Sequence, residues 1–293
     1  MGRILLISLM FWAIAEAKVT VVTSYTYIAD LAHEIGGENI RVSALAKPTR
    51  DPHYIVPKPS HIAKVRSADL VIVNGGELEV GWIPPLISQS GNPDIQPGAK
   101  GYEELAHSVA MIQKPEALTR AAGDVHPEGN PHFSVAVRQI PKLAAAVSDA
   151  LCRVDKTHCD EYEENRDRFI FRWKEKSKEW EKHLNALRGI RVVQAHRLFD
   201  YFLQEAGIKV AAELETLPGV PPTASHLAKV IQTVRKEKIP YLITSVYFPE
   251  QAVRMVQEKT GIRVVVLPHD VGSLEGTENI FAMMDYLVKA LRP

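Results

Sequence analysis

The stretch DEYEENRDRFIFRWKEKSKEWEKHLNAL, residues 160–187, decides how the rest of the chain is read. It holds neither glycine nor proline, its charges are dense, and Phe169, Trp173, Trp180, Leu184 and Leu187 recur at helical spacing. That pattern predicts one long helix with a single apolar stripe. The stripe covers too few heptads for a coiled coil. Because β-branched runs resume at once with Val192, the helix separates an amino-terminal from a carboxy-terminal lobe. The expected division is a leader at 1–17, a first lobe at 18–159, the linking helix at 160–188 and a second lobe at 189–293.

On both sides of that helix, short β-branched runs alternate with amphipathic segments. The runs lie at 19–22, 40–45, 70–73, 192–194, 241–246 and 264–267, with helix-like segments such as 27–35, 226–236 and 250–259 between them. This order predicts parallel α/β units in each lobe. No internal repeat is legible, and the Pro/Gly/Ser-rich residues 84–101 read as a surface loop.

The chain has 293 residues, and its 46% hydrophobic content is ample for real cores. Lysine plus arginine equals aspartate plus glutamate at 35 each, so no global field recruits nucleic acid or an anionic membrane. Arg3, the apolar residues 4–14 and Ala15-Glu16-Ala17 form an export signal with a small-x-small cleavage site, predicting a periplasmic protein that begins at Lys18. No cysteine follows that site, so a lipid anchor is not expected. No later apolar run approaches the ~18 to 20 residues of a membrane span.

The two cysteines, Cys152 and Cys159, would stand about 10 Å apart along one unbroken helix, too far for a disulfide. A helix break at 154–157 removes that objection, and an oxidising compartment then favours a bridge over free thiols. A metal clip with His158 lacks a CxxC pair and a fourth ligand.

Eleven histidines are present. His53 lies in Asp51-Pro52-His53-Tyr54, His132 in Asn130-Pro131-His132-Phe133, His196 closes the run at 192–194, and His269 with Asp270 follows the run at 264–267. In open α/β sheets the ligand crevice lies at the carboxyl ends of the strands, so these loop residues can converge on one cleft. A preceding proline presents each Pro-His imidazole from a stiff loop. Neutral imidazole with carboxylate is a borderline-soft donor set suited to zinc. His126 reads as a solvent-exposed loop residue, and His33, His61, His107, His158, His183 and His226 as structural or surface residues.

Asp51-Pro52-His53 with Pro59-Ser60, Asn130-Pro131-His132, and His196 with Phe199 and Tyr201-Phe202 resemble the solute-binding proteins of zinc and manganese ABC importers. Asn74-Gly75-Gly76 with Glu79 and Trp82, and Pro218-Gly219 with Pro221-Pro222, fit the same family, and the similarity runs through nearly all of the mature chain. The resemblance implies two Rossmann-like lobes with parallel sheets, joined by one long rigid helix. The metal would lie between them on His53 and His132 from the first lobe and His196 from the second. Manganese members usually carry a carboxylate at the position of His196, so the resemblance points to a bound Zn2+ rather than Mn2+. The fourth ligand aligns with His269, while charge neutralisation favours Asp270; water is the remaining option. A membrane permease would be the partner, and a monomer the default.

Other classes find less support. There is no HExxH helix, GxSxG elbow, Walker A loop or GxGxxG fingerprint. A metallohydrolase would need an open metal position and a general base, for which Asp51 and Glu79 have simpler readings as turn-capping and surface-pairing residues. A metal-stabilised adhesin is the other alternative; absence of a lipid anchor and of a surface-retention segment favours a freely diffusing periplasmic carrier over it.

Overall fold

The computed structural model describes residues 17–115, 126–217 and 219–292. The expected export signal lies outside the described residues except for Ala17. The long segment is indeed helical, and a four-stranded parallel sheet lies on either side of it in sequence.

In the first sheet, β1 (Val19–Thr23), β2 (Ile40–Ala44), β3 (Leu70–Val73) and β4 (Tyr102–Glu104) run in the order β2-β1-β3-β4. In the second, β5 (Arg191–Gln194), β6 (Lys209–Glu213), β7 (Tyr241–Thr244) and β8 (Arg263–Val266) run β6-β5-β7-β8. All pairings are parallel. The same order appears twice, a repeat of topology that the sequence does not display. Central strands such as β3 are buried along their whole length, as expected where helices cover both faces.

The first lobe adds α1 (Thr26–Gly36), α2 (Pro59–Arg66), α3 (Ile83–Ser90) and α4 (Ile140–Val154). The linking helix is α5 (Cys159–Ala186), followed by α6 (Asp200–Ala206), α7 (Ala224–Glu237), α8 (Glu250–Thr260) and α9 (Ile280–Ala290). Helix α3 corrects the loop reading of residues 84–101. Its prolines sit in the first turn, where no amide is needed, and Gly91 ends it in the left-handed region at φ 68°. Ile83, Leu86 and Ile87 fill its buried face. Strands β4 and β6, which periodicity does not find, are sheet edges with charged ends.

Helix α5 has 28 residues and therefore spans about 42 Å. Its stripe packs as an aromatic ladder: Trp173 meets Trp180 edge-on at 4.8 Å, and Phe281 of α9 meets Phe169 at 5.3 Å and Trp173 at 5.1 Å. The indole N–H groups are satisfied, Trp173 donating to the Val137 carbonyl at 2.9 Å and Trp180 to Asp285 at 2.7 Å. Between α4 and α5 the chain breaks at 155–158, where Asp155 accepts from the Thr157 amide and the Tyr162 hydroxyl. That break brings the Cα atoms of Cys152 and Cys159 to 4.6 Å, and the two form a disulfide.

The halves are fastened together. One apolar core runs from β1 through α4 and α5 to α9, and α9 packs on α5 and α1. Asp270 accepts from the Tyr27 amide at 2.7 Å and the Thr26 amide at 3.2 Å, capping α1 from the second lobe. Asp30 of α1 accepts from the Ile280 amide at 2.7 Å, capping α9 in return. No helix among the described residues is long and apolar enough to cross a membrane.

Candidate metal site

His53 is set by its loop between β2 and α2. The Pro52 carbonyl accepts from the Tyr25 hydroxyl at 3.0 Å and the Trp82 indole at 3.1 Å, which pins the turn. Asp51 Oδ1 accepts from the His53 amide at 3.0 Å and lies 2.9 Å from His53 Nδ1. Nδ1 thus faces a carboxylate, while Nε2 lies on the side of His126, 3.3 Å from that ring's Nε2. Burial would raise the Asp51 carboxyl, but its bonds to His53 and the imidazole charges outweigh this and hold it below its usual value.

His196 is built the same way from the other lobe. It follows β5, and its Nδ1 lies 2.6 Å from Oε2 of Glu215, just beyond β6. The Gly219 amide donates to the same oxygen at 3.2 Å, steadying the carboxylate.

His132 is buried, and polar bonds fix its loop. Asn130 accepts from the His132 amide at 2.9 Å and donates to the Arg197 carbonyl at 2.9 Å. Tyr201 donates to the Asn130 carbonyl at 2.7 Å, and Asn74 donates to the Pro131 carbonyl at 3.0 Å. Asn74 is held in turn by the Tyr27 hydroxyl, and buried Glu79 accepts from the Asn74 and Gly75 amides. Gly75 has φ +80°, and a Cβ there would collide with Glu104, so only glycine serves. Burial, then the neighbouring His53, His196 and His126, depress the His132 pKa well below the ordinary imidazole range and keep the ring neutral.

His53, His132 and His196 thus come together, with ring centroids 5.1, 5.3 and 5.8 Å apart. The fourth member is His126, which the sequence reading set aside as a solvent-exposed loop residue. Its Nε2 lies 3.3 Å from Nε2 of His53, and Nε2 of His132 lies 3.4 Å from Nε2 of His196. Donor atoms of His53, His126 and His132 all fall within 4.8 Å of one another. Nitrogens bound tetrahedrally at about 2.0–2.1 Å stand about 3.3–3.4 Å apart, so both close pairs match an edge of a zinc tetrahedron.

The two residues expected to compete for the fourth place have other surroundings. Both carboxylate oxygens of Asp270 are engaged by amides: Oδ2 by Thr26, Oδ1 by Tyr27 and Val271. Burial nevertheless raises its pKa to about 6. His269 is buried and lines a small cavity together with His132, its ring edge-on to Tyr247 at 4.8 Å, and its pKa is pushed down to about 4 by burial. Its Nδ1 has no hydrogen-bond partner among the described residues.

Sequence reading also missed the positioning tasks of Asp51 and Glu215. The i, i+2 spacing of Asp51 and His53 was a usable signal. Nothing local connects Glu215 to His196, because the contact depends on β5 and β6 being neighbours.

The chain belongs to the family described as zinc-uptake complex component A periplasmic, whose model matches residues 21–293. It is similar to the zinc-binding lipoprotein AdcA of Streptococcus pneumoniae, 24% identical over 286 residues, covering 95% of this chain and 56% of that protein. The chain therefore spans little more than half the length of that relative. It is also similar to the manganese ABC transporter substrate-binding lipoprotein PsaA of Streptococcus pneumoniae, 23% identical over 252 residues, covering 84% of this chain and 78% of the other. A crystal structure of ZnuA shares the fold with a TM-score of 0.75 and 19% identity, over 94% of this chain and 99% of that one.

Proposed function

We propose that this protein captures a zinc ion on His53, His126, His132 and His196 and delivers it to the permease of an ABC importer. The observation that carries the reading is the pair of Nε2–Nε2 separations, 3.3 and 3.4 Å, formed by four imidazoles from two lobes. An all-nitrogen set suits borderline-soft Zn2+, whereas hard Mn2+ favours oxygen. Manganese is the second reading because relatives such as PsaA are named for it, and the donor set speaks against it here. Delivery to a permease, and a place outside the cytoplasmic membrane, are supported by the family description and by the printed names of the relatives. In this reading the ion is bound and released unchanged, which is the task of a carrier rather than of an enzyme.

The test is competitive zinc and manganese titration of metal-stripped protein beside His53→Ala, His126→Ala, His132→Ala and His196→Ala. One tight zinc site per chain, weakened by every substitution and poorly filled by manganese, is the expected result. Wild-type affinity in all four variants would refute the site.

A further inference from the structure

We propose that reduction of the Cys152–Cys159 disulfide opens a second metal site, in which both thiolates and the Glu163 carboxylate hold a zinc ion. The site stands apart from the histidine cleft and does not rest on the carrier reading. Cys152 lies in the last turn of α4, and Cys159 is the first residue of α5. The break between the helices brings the two Cα atoms to 4.6 Å. Glu163 follows Cys159 by four residues, so it stands on the same face of α5 one turn further on. It supplies a third donor that the two cysteines alone lack. Donor atoms of all three side chains lie within 4.8 Å of one another. On one tetrahedral zinc, two sulfurs at about 2.3 Å and an oxygen at about 2.0–2.2 Å stand roughly 3.6–3.8 Å apart, inside that span. Once unbonded, the sulfurs reach that spacing by rotation about Cα–Cβ, with the backbone left in place.

The two sulfurs are not equivalent. Cys152 is buried, whereas Cys159 is only partly buried and sits at the amino end of a 28-residue helix, whose unbonded amides lower a thiol pKa. The reductant is an external dithiol. One of its thiolates attacks Sγ of Cys159, the disulfide bond breaks, and Cys152 departs as a thiolate. The second thiolate of the reductant attacks the reductant's own sulfur in the mixed disulfide and releases Cys159 as a thiolate. The reductant leaves as a disulfide, having given two electrons to the cysteine pair and its two thiol protons to water. Zinc then occupies the sulfurs in place of protons. Thiolate is a soft donor, so the pair selects zinc over manganese or magnesium. Water completes the fourth position. The bound ion ties α4 to α5 where the disulfide did, so the junction is fastened in both redox states.

The test compares the metal-stripped full chain in two states, oxidised and reduced with a water-soluble phosphine that is then removed under argon. Each is dialysed against zinc chloride, and bound zinc is counted per chain. The reduced chain should retain one zinc more than the oxidised chain. Cobalt chloride in place of zinc should give a thiolate-to-metal charge-transfer band in the reduced chain alone. Glu163→Gln, at an exposed position, should weaken the extra zinc by roughly tenfold or more and leave the oxidised count unchanged. Equal zinc counts in the two states, extra zinc without the band, or undiminished binding in Glu163→Gln overturns the proposal. Zinc missing from the oxidised chain refutes the histidine site instead and leaves this one standing.

Discussion

An imidazole offers two nitrogens, and the partner of one decides what the other can do. Asp51 and Glu215 hold Nδ1 of His53 and His196, so each leaves an Nε2 lone pair for the ion. Glu215→Gln should therefore weaken zinc binding by roughly 10–100-fold with little change in melting temperature. Competitive titration beside a thermal melt checks both halves. Loss of His126 should cost more than that, because it removes a donor and not a support. Acid must weaken binding, since an imidazolium has no lone pair to give. Burial and the neighbouring imidazoles keep His132 neutral well below the ordinary imidazole range, so that ring has no proton to release when zinc binds near pH 6. Calorimetry in buffers of different ionisation enthalpy counts the protons released; four per ion at pH 6 would contradict a depressed His132.

At the scale of single elements, the sequence was most legible where one physical signal acted alone. The stripe of α5 was readable because its aromatic residues follow the helical period and nothing interrupts them. Helix α3 was hidden because its prolines and Gly91 mark loops and helix ends alike, and only burial of Leu86 and Ile87 separates the two. Three of the four converging histidines were found from their loops. His126 was not, because a loop histidine looks the same whether it faces water or another imidazole. For the fourth position the sequence offered His269, Asp270 or water, and the fold engages the Asp270 carboxylate with amides of α1 and of Val271. The disulfide between α4 and α5 closes a short loop, seven residues apart in sequence, and should contribute about 2.5 kcal/mol. Reduction should lower the melting temperature by a few degrees and leave zinc affinity at the histidines intact, because the cysteines group apart from His53, His126 and His132.

For the whole molecule, acid acts on the empty and the loaded protein in opposite directions. Burial raises Asp30 and Asp270 to about 6 and Glu79 and Glu205 to about 7. Between their ordinary values and these, the folded chain holds more protons than the unfolded one, so these four groups lose stability as pH rises. His132 and His269 act oppositely, because their lowered values make folding less favourable as pH falls through about 6.5. Asp200 is also raised and His61 also lowered by burial, so five carboxyls stand against three imidazoles, and the metal-free protein should melt higher at pH 5.5 than at pH 8. Zinc should reverse this order, because its stabilisation follows affinity and shrinks in acid. Melting curves with and without zinc at the two pH values decide the matter, and a metal-free protein more stable at pH 8 would contradict it.

The reciprocal caps also set an order of events during synthesis. Asp270 and Tyr27 are 243 residues apart in sequence, and Asp30 and Ile280 are 250 apart. The first lobe leaves the ribosome with the amino end of α1 uncapped and the face that α9 covers still bare. It reaches its final form only when nearly the whole chain has been made. A nascent chain whose first helix exchanges caps with residues 243 and 250 positions further on closes its first lobe only as synthesis nears its end.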